Sequence, residues 1–177
     1  TGQEGFDACE ATAKAVEKEL GVPFANVAVA STGVIGKQLP MDRICAGIDA
    51  MVPNLKGDLE SGHNAALAIM TTDTHEKEVA VEIEIDGKTV TIGGMCKGSG
   101  MIHPNMCTML GFITTDANIS SEMLKKALLE VVKDSFNMLS VDGDTSTNDT
   151  VALLASGLCG NERIETENDD YFAFVAA

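Results

Sequence analysis

EVAVEIEIDGKTVTI, residues 78–92, alternates with a period of two. Val79, Val81, Ile83 and Ile85 fall on one face of an extended chain, and Glu78, Glu82 and Glu84 fall on the other. Asp86 and Gly87 form a two-residue junction that tolerates left-handed backbone, the signal of a tight antiparallel turn. Val90 and Ile92 resume the alternation on the return arm. The pattern predicts a hairpin with one buried face and one acidic face turned to water. Its second arm delivers the chain to Lys97. The acidic face is an ordinary solvated strand face and takes no functional assignment.

Upstream of the hairpin the period is helical. Phe6, Cys9, Ala13, Val16 and Leu20 recur at steps of three and four, which predicts an amphipathic helix ended by Gly21 and Pro23. Residues 26–30 read as a short apolar strand running into STGVIG, residues 31–36. Ile44, Ile48, Met51 and Leu55 predict a second helix after Pro40, and residues 64–70 a third. Downstream, the apolar run after Thr108 predicts a strand through Ile113. Ser120 or Ser121 caps a long helix to about Leu139. A polar loop, DGDTSTNDT, precedes a strand over residues 151–155, and a last helix starts near Asn168. No internal repeat or low-complexity linker interrupts the chain. Mixed strands and helices around an antiparallel hairpin predict an α+β or layered α/β fold.

Composition narrows the function. The chain has 177 residues, enough for one domain with a core or two small ones. Hydrophobic residues make up 45%, which is globular rather than disordered composition. Aromatics are only 4%, so the predicted core is aliphatic and filled by methionine. The net charge of −15 argues against nucleic acid and against anionic membrane surfaces as partners. No apolar run reaches the ~18 residues needed to span a bilayer. The five cysteines, Cys9, Cys45, Cys96, Cys107 and Cys159, are odd in number and show no C-x-x-C pair. A disulfide framework or zinc site is not expected, and a reduced cytoplasmic setting fits best. TGQEG at the start has neither the basic nor the apolar region of a signal peptide. With YFAFVAA stopping inside a helical pattern, the chain is expected to be an interior part of a longer sequence.

The chemistry is concentrated in KGSGMIHPNMCTML, residues 97–110. Gly98 and Gly100 allow unusual backbone and close approach of a ligand. Pro104 bars a continuous helix. Thr108 then opens an apolar strand. Cleavage before a threonine so placed exposes a nucleophile that carries its own base, an α-amine with a reference pKa of about 7.7–8.0. On spacing alone the commoner reading of the segment is a Gly-rich connector with a threonine starting a strand. Lys97, Thr71 in TTDT (71–74) and Thr32 with Gly33 in STGVIG each also have an ordinary structural reading: a surface lysine, a turn threonine and a Gly-containing turn.

These motifs, with FITTDA at 112–117, resemble in order and spacing the bifunctional ornithine acetyltransferase family (glutamate N-acetyltransferase) of arginine biosynthesis. The resemblance runs through essentially the whole chain. The family usually has alanine before the threonine, where this chain has Cys107. The resemblance implies a layered α/β sandwich and self-cleavage between Cys107 and Thr108. Residues 1–107 would be part of the α chain and 108–177 part of the β chain, both in one fold and assembled into a heterotetramer. It implies transfer of acetyl from N2-acetylornithine to Thr108 and then to glutamate, with acetyl-CoA as a further donor in some members. No metal or tightly bound cofactor is implied. Carried over residue by residue, Thr108 is the nucleophile and also binds substrate, and Thr32 and Gly33 stabilise the oxyanion. Lys97 and Thr71 bind substrate, with Thr72 adjacent to Thr71 in the same residue type.

Two other motifs are rejected on chemistry. Asp142, Asp144 and Ser146 have calcium-loop spacing, but Thr147 stands where the turn glycine belongs and Leu153 where the bidentate glutamate belongs. Gly98-Ser99-Gly100 lacks the context of a nucleotide loop. His63, His75 and His103 show no metal spacing and read as loop histidines. Two rival functions share the same residues. One is a self-cleaving N-terminal-threonine amidohydrolase or aminopeptidase with water as acceptor. The other is a non-enzymatic small-molecule-binding domain with an uncut loop.

Overall fold

The computed structural model describes residues 2–100, 109–141 and 149–177. They form two compact units, residues 1–62 and 63–177. In the first unit, α1 (Gly2–Leu20) ends where predicted. Gly21 turns left-handed at φ +69 while its N–H still donates to the Glu17 carbonyl at 2.8 Å. Pro40 immediately precedes α2 (Met41–Met51), where a missing N–H costs nothing. Pro53 then tightens the chain into a single 3-10 turn, Val52–Asn54, so Leu55 lies beyond the helix rather than on its stripe. The α1–α2 contact buries Ala8, Ala13 and Ile48. It leaves Phe6 and Leu20, at the ends of the predicted stripe, largely exposed. Residues 26–30 form no strand: Asn26 closes a 3-10 turn, Phe24–Asn26, and the residues after it find no ladder partner among the described residues of this unit. α3 spans Leu59–Ala68 and starts five residues earlier than predicted. The Asp58 carboxylate accepts from the Ser61 N–H at 2.8 Å and so caps the earlier start.

The second unit is built on a four-stranded sheet in the order β1-β2-β3-β4. The predicted hairpin is β1 (Lys77–Ile85) and β2 (Lys88–Lys97), closed with Ile85 opposite Lys88. Asp86 and Gly87 take φ values of 49 and 65, both left-handed, as the tight turn requires. β3 (Leu110–Thr115) pairs antiparallel with β2, and β4 (Thr150–Ala155) pairs parallel with β3. A parallel partner needs a crossover, and α4 (Ser121–Val131) lies in it. Ser120 is the cap, its hydroxyl accepting from the Met123 N–H at 3.2 Å. α4 stops well short of Leu139. The Ser135 hydroxyl donates to the Val131 carbonyl at 2.6 Å, and the Asn137 N–H reaches the Val132 carbonyl, which turns the backbone out of the helix. α5 (Asp169–Ala176) starts where predicted, capped by Asn168.

The core lies between the sheet and these last two helices. Ile85 and Val90 from the hairpin meet Ala117, Ile119, Met123, Ala127, Ile164, Tyr171 and Phe174. Two of the chain's few aromatics thus sit at the centre, where composition alone predicted an aliphatic and methionine core. The buried face of β1 is covered only at its turn end. Ile85 is fully buried while Val79, on the same face, is 67% exposed. Glu82 and Glu84 face water as expected. Near the start of β3, Gly111 lets the Phe136 ring approach: a Cβ there would lie 3.5 Å from it. This closes a small second cluster around Met109 and Val151. No described helix is long and apolar enough to cross a membrane.

Candidate functional site

Lys97 is the last residue of β2 and stands opposite Leu110 in the β2–β3 register. That pairing puts it beside the start of β3, two positions beyond Thr108 in sequence. Its side chain is 2% exposed, so it is not the surface lysine that its residue type ordinarily is. Burial pushes the Lys97 ammonium below its ordinary pKa, and the carboxylates of Asp73 and Asp149 work against that shift. A buried cation is costly unless anions or hydrogen-bond acceptors compensate it. Two carboxylates from separate segments supply the compensation here.

Asp73 is the organising residue of this corner. Its side chain is inaccessible to water. Oδ1 accepts from the Gly98 N–H at 2.8 Å and from the Lys77 ammonium at 2.5 Å, and Oδ2 accepts from the Thr71 N–H at 3.3 Å. Burial by itself would raise the carboxyl pKa. The hydrogen bonds from Lys77, Gly98 and Thr71, with the Lys77 charge, outweigh it and hold the group at about 2. Its folded pKa is below the ordinary 3.8, so its stabilising contribution is present above that value and is lost as pH falls through about 2.

The TTDT turn and the KGSG segment are therefore joined through one carboxylate. A second tie runs from Thr72 Oγ1 to Ser99 Oγ at 2.6 Å. Of the two threonines, Thr72 has its hydroxyl engaged in this tie, while Thr71 is exposed on the turn. Asp149 fixes the other side of the corner: its Oδ1 accepts from the Met109 N–H at 3.0 Å, one residue past Thr108. Cys107, Thr108 and His103 lie outside the described residues, as do Asp142, Asp144, Ser146 and Thr147 of the rejected calcium loop.

Thr32 and Gly33 belong to the first unit. They sit in irregular chain just before the Val34–Gly36 turn, which closes with the Lys37 N–H donating to the Val34 carbonyl at 3.1 Å. Thr32 is half-buried and Gly33 exposed, with nothing within 4 Å of the space a Cβ would take. FITTDA has a structural explanation. The Thr115 hydroxyl donates to the Thr91 carbonyl at 2.8 Å, and Asp116 Oδ1 accepts from the Thr91 N–H at 2.8 Å, stapling the end of β3 to β2.

Sequence reasoning missed Asp73 and Asp149. Asp73 stood inside a motif read only for its threonines, and Asp149 inside a loop read only for calcium. An acidic residue among hydroxyl residues shortly ahead of a strand, four positions before β1 for Asp73 and one before β4 for Asp149, was the available signal. Among the described residues no three His, Cys, Asp or Glu side chains are grouped to hold a metal ion, and Cys9, Cys45, Cys96 and Cys159 are free thiols.

Comparison with known proteins is broad and uniform. The chain is 54% identical over 177 residues to an arginine biosynthesis bifunctional protein ArgJ of Symbiobacterium thermophilum, and it spans 44% of that protein's length. It is 51% identical to the ArgJ of Thermotoga neapolitana, again over the whole chain and 44% of the relative. Among solved structures, an ornithine acetyltransferase of Mycobacterium tuberculosis complexed with ornithine matches at 44% identity and a TM-score of 0.55, covering 59% of this chain and 55% of that one. The ArgJ of Bacillus halodurans matches at 46% identity and a TM-score of 0.54, covering 59% and 54%. The model of the ArgJ family matches residues 1–177. The chain belongs to the ArgJ family.

Proposed function

We propose that the full-length protein cleaves itself between Cys107 and Thr108, takes acetyl from N2-acetylornithine onto Thr108, and passes it to glutamate. In the first reaction Thr108 Oγ attacks the Cys107 carbonyl carbon and the peptide C–N bond breaks. This leaves an ester and a free α-amine, and water hydrolyses the ester. In the second, that amine takes the Oγ proton as Oγ attacks the acetyl carbonyl, and ornithine leaves with the proton. The amine of glutamate then attacks the acetyl ester, which frees Oγ again. Thr32 and the Gly33 N–H stabilise the oxyanion in this reading. Lys97 and Thr71 hold the substrate's α-carboxylate. The scheme needs no resident metal or cofactor, and acetyl-CoA as a second donor is tested by omitting acetylornithine. A cytoplasmic setting accords with the free thiols.

The observation that carries the reading is Lys97, a buried lysine at a strand end beside the residues that follow Thr108. Its charge suits a carboxylate brought by an amino-acid substrate. The ornithine held by the solved relative is a ligand of that class. The β2–β3 ladder also supports the assembly. Six residue pairs join strands on either side of position 107–108, so a single cut would leave the α and β parts associated. The proposed heterotetramer of cleaved chains would be built from such α–β pairs.

The deciding experiment is intact mass and N-terminal sequencing of the full-length product. The smaller fragment should begin TMLGF. An uncut polypeptide, or any other new terminus, removes Thr108 from its role.

Lys97→Met should cleave at nearly the wild-type extent but raise the KM for acetylornithine about 10- to 100-fold, as expected for loss of a hydrogen-bonded charge. Self-cleavage brings its own carbonyl, whereas an external substrate must be anchored. Cleavage that slows in step with transfer would instead place the Lys97 charge on the internal attack.

A further inference from the structure

We propose that Asp73 is a positioning residue for substrate capture, holding the 71–74 turn and the Lys97–Gly98 end of β2 together as one corner that receives the carboxylate of an amino-acid substrate. The inference rests on the acetyl-transfer reading above and adds to it a residue whose described partners are Thr71, Lys77 and Gly98.

The geometry singles out this side chain. One inaccessible carboxylate bonds to backbone N–H groups of two segments 25 residues apart. The Gly98 N–H comes from a residue at φ 149, a backbone that L side chains rarely adopt. The bond to Asp73 therefore fixes an otherwise unusual exit from β2 directly after Lys97. The Thr71 N–H on the other oxygen fixes the start of the turn. Among the described residues, a second side-chain hydrogen bond between the two segments is the exposed Thr72–Ser99 tie.

Charge adds a second consequence. Lys97 is faced by Asp73 from the turn and by Asp149 from the segment ahead of β4. Asp73 is in turn faced by Lys77 on β1, and both act on the half-buried thiol of Cys96 on β2. Lys77 takes the contact ion pair with Asp73, and Asp73 reaches Lys97 through its charge. Neutralising Asp73 removes an anion that keeps Lys97 protonated. Neutralising Lys77 exposes that anion more fully to Lys97. The two changes should move the protonation of Lys97 in opposite directions.

The test uses the full-length, cleaved enzyme, with initial rates measured from neutral to alkaline pH. Asp73→Asn keeps the shape of the carboxylate and removes its charge. It should raise the KM for acetylornithine tenfold or more, roughly the loss expected for weakened charge-assisted bonds. kcat should stay within about threefold, since the nucleophile is untouched. The alkaline rise in KM should begin at lower pH than in wild type. Lys77→Met should shift that rise to higher pH, and it carries the test if Asp73→Asn does not fold. A lowered Tm with unchanged KM and unchanged alkaline limb would make Asp73 a purely structural residue and overturn the proposal. A shift of both variants in the same direction would overturn it too. A wild-type enzyme that transfers no acetyl refutes the acetyl-transfer reading itself. Failure of the Asp73 inference is seen only against an active wild type, so the two are distinguishable.

Discussion

Thr108→Ala in the full-length protein should leave one uncut polypeptide with no measurable acetyl transfer. Both losses follow from a single atom. The same Oγ makes the internal attack on the Cys107 carbonyl and the later attack on acetylornithine, and the base for the second attack is the amine that the first one liberates. A variant without Oγ cannot generate its base, so the effect is a loss of turnover rather than a graded decrease. Thr108→Ser keeps the hydroxyl but loses the methyl that restricts its rotamer. It should therefore retain part of both reactions, with cleavage slowed and some acyl-enzyme still formed. Mass spectrometry after a brief exposure to acetylornithine reads both steps together, as fragment sizes and as an added acetyl group. An acetylated Thr108→Ala enzyme would place the nucleophile elsewhere.

Thr32→Ala should show a different pattern. A hydroxyl that donates to the developing oxyanion acts on the transition state and not on the bound substrate. Its removal should lower kcat by about one to three orders of magnitude with little change in KM. Lys97→Met should do the reverse. The contrast tests the division of labour more sharply than either variant alone, because general damage to the site would move both parameters in both variants. Gly33 offers its donor from the backbone, so a side-chain substitution there cannot isolate the interaction. Cleavage of Thr32→Ala must be verified by mass before the rates are compared. If the cleaved variant keeps wild-type kcat, STGVIG is only the turn that its local geometry describes.

The hairpin, the end of α1 and the starts of α4 and α5 were legible in the sequence because each rests on a local rule. Alternating valine, isoleucine and glutamate set β1. Asp86-Gly87 set its turn, and Ser120 and Asn168 set the starts of α4 and α5. None of these needs a distant partner. Some of the predictions that differed depended on one, and others, such as the start of α3 and the end of α4, turned on local side-chain bonds. Residues 26–30 have strand composition, but a ladder needs a second chain segment, and their unit supplies none among the described residues. The helix expected to reach Leu139 stops at Val131, where Ser135 takes a carbonyl that the helix would have used. Phe6 begins the apolar stripe of the predicted amphipathic helix, yet the α1–α2 contact buries Ala8 and Ala13 and leaves it exposed.

The candidate site divides along the same line. By itself, the sequence determined the residue types and their order: the Gly- and Pro-shaped approach to Thr108, the lysine after the hairpin, and the threonines and glycine of the two upstream motifs. Those are properties of short segments, and motif spacing preserves them. Only the tertiary structure decided that Lys97 is buried and that Asp73 joins the turn at Thr71 to the backbone at Gly98. It also decided that Asp149 anchors the start of β3. Burial and charge compensation arise between segments 25 and 40 residues apart in the chain. No local pattern encodes them, because the desolvation of a lysine and the hydrogen bonds of a carboxylate exist only once the sheet has brought those segments together.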